Sequence, residues 1–195
     1  PTDEDEKGVI FGEGSLVFSG DGSVTVNAKG KSGIASDDNV VINSGNITVA
    51  STASTFVSSG DTTKVSGVKA KDAFVINDGT LTITCSGTGA KGMSGDGTAT
   101  FNGGTVSIKV SGSNFGSSGG GNNPGGGPGH KSNDNSVAAK GIKFDGNITF
   151  NDGTVTVSCS NHEGIESKSE LTVNGGHIYS YSEADDAINS ASTMT

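Results

Sequence analysis

Charged residues that recur at fixed steps are the first features of this chain with chemical meaning. A step of 23 residues separates Lys140, Glu163 and Asp186, and the same step separates Lys143, Glu166 and Asn189. Carboxylates held one strand apart repel unless a cation lies between them. Glu163, Glu166, Asp185 and Asp186 therefore read as hard oxygen donors gathered in one corner. That suits calcium, which takes six to eight oxygen ligands. The alternative is a surface ladder of ion pairs with Lys140 and Lys143, worth little energetically. Another column, Asp37, Lys71, Asp96, Asp145 and Lys168, reads as a solvated charge ladder, with Asp37 and Asp38 a lesser cation candidate. His162 stands beside Glu163 at the same edge, but three His without ligand spacing or Cys partners make no zinc motif. Tyr179 and Tyr181 alternate with Ile178 and should face outward, to stack on sugar rings or simply to pack at the surface. Tyr179, Tyr181, Lys140, Lys143 and His162 are thus the candidate ligand-binding residues. No nucleophile elbow, phosphate loop or dinucleotide fingerprint occurs, and no residue is assigned a catalytic role.

These columns exist because the chain repeats. In Gly141 to Ser160, Asn151 and Gly153 follow the leading glycine by ten and twelve residues. The same offsets recur after Gly33, Gly67, Gly92 and Gly164. Such a period is the signature of a solenoid. The turn glycines Gly22, Gly45, Gly79, Gly104, Gly153 and Gly176 stand 23, 34, 25, 49 and 23 residues apart. The two long steps contain insertions at one place in the repeat, about 51–64 and 111–136, which should project from the same side. Within a unit the apolar residues alternate with period two, which means strands. The columns Val40, Phe74, Ala99, Ile148, Leu171 and Ile34, Val68, Met93, Ile142, Ile165 are apolar throughout and should stack inside. Parallel crossovers are right-handed by strong preference. The expected fold is all-β, a right-handed parallel β-helix with coils of about 23–25 residues, filling 9–195 after an acidic tether at 1–8. An unfinished sixth copy ends at Thr195, where a continuation of the chain, a second chain or another copy is expected to cover the open coil. Asn43, Asn77, Asn102, Asn151 and Asn174 should form an inward ladder of side-chain amides. Cys85 and Cys159 share a column with Val110 between them. That puts them roughly 9–10 Å apart, beyond disulfide reach, and predicts free, largely buried thiols.

Composition narrows the function classes. Only 30% of residues are hydrophobic and 33 are Gly, which fits a thin solenoid core with many turns. The net charge is −9, with 12 Lys and no Arg, which argues against nucleic acid as a partner, since that needs a basic face. A bare acidic surface would also repel an acidic polysaccharide, so binding one needs a local Lys cluster or a bound divalent cation. No apolar run is long enough to span a membrane as a helix, and no signal peptide is visible.

The units KGIKFDGNITFNDGTVTVSCS, EGIESKSELTVNGG and EADDAINSAS resemble bacterial secreted carbohydrate-binding β-helix proteins related in fold to polysaccharide lyases. The resemblance implies bound calcium, with ligands carried over to Glu163, Asp185 and Asp186, and an extracellular or cell-surface protein that binds plant cell-wall polymers such as cellulose or polygalacturonate, with no demonstrated cleavage. Two alternatives stand beside it. One is a pectate-type lyase with Lys140 or Lys143 as base, if burial lowers its pKa. The other is a structural or adhesive solenoid with no glycan ligand.

Overall fold

A computed structural model of the chain describes residues 7–116 and 136–195. Most of the expected acidic tether and of the second insertion lies outside those residues. The described residues form strands and turns with no helix, in three parallel sheets of seven, six and six strands and one small hairpin. No helix is therefore long and apolar enough to cross a membrane.

The chain is a parallel β-helix. The first sheet stacks Gly8–Gly12, Ser32–Ser36, Ser66–Ala70, Lys91–Gly95, Ile142–Phe144, Ile165–Ser167 and Ile188–Ser190. The second runs from Leu16–Phe18 to Leu171–Val173, and the third from Ser23–Ala28 to His177–Ser182. Equivalent residues pair directly, as in Ile34 with Val68 and Ile142 with Ile165. Apolar residues at alternate positions turn inward, so each column becomes a continuous filament of core. Phe74, Phe101 and Phe150 are fully buried, with ring centroids 5.7 and 4.7 Å apart. Such aromatic contacts add to simple burial.

Glycine is required at two corners. Gly153 has φ +93°, and a Cβ there would lie 2.7 Å from the carbonyl oxygen of Gly104 on the coil below. At Gly141 a Cβ would strike the Gly164 carbonyl and Val157. The amide ladder forms: each Asn donates from Nδ2 to the preceding Asn Oδ1 at 2.8 Å, and Asn43 donates to Ser19. Its direction differs from the expectation. All five Asn are exposed. Period two explains this, because Ile42, Ile76, Phe101 and Phe150 point inward and the next residue must point out.

Cys85 and Cys159 are free and buried in one column, each paired across to Val110. Burial pushes the Cys85 thiol up to about 12, against a hydrogen bond from the Gly67 backbone. Within the first insertion, Phe56–Ser58 and Asp61–Thr63 form the antiparallel hairpin. At the far end Val173 and Met194 are exposed, and Thr195 donates its backbone N–H to Leu171.

Candidate functional site

The outer face of the first sheet carries the column Lys69, Ser94, Lys143, Glu166, Asn189, paired strand to strand. Beside it, backbone hydrogen bonds from each following glycine continue the column Lys91, Lys140, Glu163, Asp186. A cleft of about 320 Å³ lies over these residues, lined by Lys64, Lys69, Lys91, Lys140, Lys143 and Lys168 with Asp96, Asp145 and Glu166. A second cleft of about 560 Å³ shares Lys64, Lys69 and Asp96, adds Lys7 and Lys31, and has Phe56 of the hairpin in its wall. The two clefts adjoin at Lys64, Lys69 and Asp96 and together follow the first sheet as a groove, bordered by Phe56 of the hairpin and by Ser136, Val137 and Ala138. Eight of the 12 lysines line it, on a chain of net charge −9. Each of the first six strands of the sheet carries one of these lysines or has one within two residues of its end.

Two residues at the floor are tuned by this setting. Burial, and then the charges of Lys64, Lys140 and Lys143, lower the Lys91 ammonium to about 8, with Glu166 opposing. Lys91 is 7% exposed, so water screens little of this. Glu166 is buried, which by itself would raise its pKa. Hydrogen bonds from Lys140, at 2.5 Å, and from Lys168 outweigh burial and hold the carboxyl below the usual range. Lys143 pairs with Asp145 at the rim.

The sequence singled out Lys140 and Lys143 from this groove. Lys69 and Lys91 share their columns and were open to the same argument. Lys64 and Lys31 stand outside those two columns, so nothing in that periodicity marks them. Tyr179 and Tyr181 are 61% and 46% exposed on the third sheet, beside Thr156 and Ser158, and do not share a face with the lysines.

The acidic corner lies at one end of the groove. Of the four carboxylates expected there, Glu163 and Asp185 converge, and His162 joins them. One ligand atom from each of these three lies within 4.8 Å of the others. Asp185 Oδ2 is 3.1 Å from His162 Nδ1, which also touches Glu163 Oε2. Ser182 ties the corner together: its hydroxyl donates to the His162 carbonyl and accepts from the Asp185 N–H. Asp185 Oδ1 accepts the Asp186 N–H, which leaves Oδ2 for the imidazole side. Glu166 is taken by the two lysines, and Asp186 accepts from Asn189 at 2.9 Å. Burial and the Lys140 charge lower the His162 pKa against the pull of Asp185 and Glu166. Calcium calls for an all-oxygen shell. The residues that converge here offer two carboxylates and a ring nitrogen, which do not fit it.

A β-helix that presents one long charged groove along its axis is a scaffold for an extended polymeric ligand. Residues 1–187 match the family described as carbohydrate-binding domain-containing protein, and the chain belongs to it. No curated protein and no solved structure matches the chain.

Proposed function

We propose that this protein is an extracellular module that binds an acidic polysaccharide of the plant cell wall, of the polygalacturonate type, along the lysine groove. The observation that carries this reading is the concentration of eight lysines in one groove of an acidic chain. An extended polyanion laid along the axis meets an ammonium group on each successive coil. A neutral glucan such as cellulose has no use for them. The fixed charges raise the local concentration of a polyanion even though the whole molecule repels it. Here the ammonium groups neutralise the polymer themselves. A calcium bridge is the competing proposal, and chelation separates the two.

The experiment is binding to polygalacturonate, to its methyl ester and to cellulose, with and without a chelator. Binding to the free acid alone, unchanged by chelation and weakened in Lys69→Gln/Lys143→Gln, is the expected result. Equal binding to the ester or to cellulose overturns it. Absence of binding to all three favours a structural solenoid. A binding site that needs chelatable ion favours the calcium bridge.

One observation favours a second reading. Lys91 is a buried amine in the groove with its pKa brought down to about 8, which is the state a general base needs. Its free amine would take the proton next to a uronate carboxylate, while the glycosidic oxygen leaves and a carbon–carbon double bond forms. Ultraviolet absorbance from that unsaturated product, lost in Lys91→Met, is the outcome this reading requires.

A further inference from the structure

We propose that His162, Glu163 and Asp185 form a binding site for a borderline divalent cation of the zinc class, and that this corner prefers such an ion to calcium. Three observations carry it. The first is the donor set. An imidazole nitrogen and two carboxylates converge within 4.8 Å. Imidazole with carboxylate suits zinc and its first-row neighbours, whereas calcium wants oxygen alone.

The second is an orphaned pair of atoms. Glu163 Oε2 and His162 Nδ1 are both buried and have no hydrogen-bond partner. The Glu163 side chain is only 8% exposed and points into the cluster. The two atoms lie against each other and at ion-pair distance from Asp185 Oδ2 and Lys140 Nζ, yet none of these contacts has hydrogen-bond geometry, and buried polar atoms left without a hydrogen bond are rare. Lys140 Nζ is 3.2 Å from Glu163 Oε2, outside hydrogen-bonding geometry, and is already held at 2.5 Å by Glu166. A metal ion can therefore take Glu163 without leaving Lys140 unpaired.

The third is charge. Glu163, Glu166 and Asp185 bring three carboxylates together, and Lys140 and Lys168 both bind Glu166, so the Glu163 and Asp185 carboxylates are the ones left to meet a cation. The His162 and Asp185 side chains are 28% and 41% exposed, which leaves a path for the ion and a side open to water as a further ligand. The Asp186 N–H holds the Asp185 carboxylate, the outer-shell support that metal ligands need, and Ser182 fixes the backbone that carries His162.

The test uses the intact chain, stripped with a chelator and dialysed, and titrated calorimetrically with zinc chloride and separately with calcium chloride at pH 7. One zinc per chain is expected, bound at least about tenfold more tightly than calcium. His162→Gln and Asp185→Asn should each weaken zinc by about tenfold or more, while His130→Gln and His177→Gln leave it unchanged. Nitrogen-15 NMR of the imidazoles needs no variant: zinc should shift the Nδ1 resonance of one of the three His, the one absent in His162→Gln. Calcium binding as tight as zinc, zinc binding indifferent to His162→Gln, or unshifted imidazole resonances would overturn the proposal.

Discussion

Lys91 shows how a single residue joins binding to stability. Its folded pKa of about 8 lies below the unfolded value of 10.5. Below pH 8 both states carry the proton, and the folded chain bears the full cost of a buried charge. Between pH 8 and 10.5 the unfolded chain keeps a proton that the folded chain releases, so stability rises with pH. Lys91→Met should therefore be more stable at pH 7 by up to about 3 kcal/mol and should lack that rise, as urea denaturation at pH 7 and 9.5 would show. The same titration controls ligand. A polyanion favours charged Lys91, so affinity for polygalacturonate should fall as pH climbs through 8, well before ordinary lysines titrate, and Lys91→Met should bind weakly without that step. Sequence placed Lys140 and Lys143 in this setting because a 23-residue step sets them above Glu163 and Glu166. It set His162 at the same edge as Glu163 but gave it no part in the acidic corner, because adjacency in sequence says nothing of where a corner residue points. Nor did it show that Glu166 would be claimed by lysines from two different coils.

At the scale of the element, strands and turns were legible because each repeat restates them. Column by column, the apolar residues of Val40, Phe74, Ala99, Ile148 and Leu171 lie in register, as their spacing predicts. The side on which the amides stack is set by the period-two alternation, because turn chemistry alone does not tell inside from outside. The turns make unequal demands that substitution can measure. Gly153→Ala puts a Cβ against backbone at φ +93° and should cost about 1–3 kcal/mol. Gly22→Ala meets open space and should change stability by less than about 1 kcal/mol. Asn102 joins two rungs, donating to Asn77 and accepting from Asn151. Asn102→Ala should cost about 1 kcal/mol, and Asn174→Ala, which breaks one rung, less. Thermal or chemical denaturation of the four variants ranks them.

Over the whole molecule, charge is segregated: the groove is basic and the rest of the chain acidic, which the net value of −9 conceals. Association with polygalacturonate should therefore weaken steeply with salt. A loss of about tenfold or more is expected between 0.01 and 0.15 M, where the screening length contracts from about 30 to about 8 Å. A salt-insensitive affinity would count against the groove as the binding surface. The two insertions have a further consequence. Cys85 pairs with Val110, and Val110 with Cys159, in the same unbroken register, although the second insertion separates only the latter two. The coils do not sense how much chain loops out between them. Descent can thus lengthen, shorten or recode either insertion without disturbing the stack beneath, so relatives of this chain are expected to share its columns and to differ chiefly in these two segments.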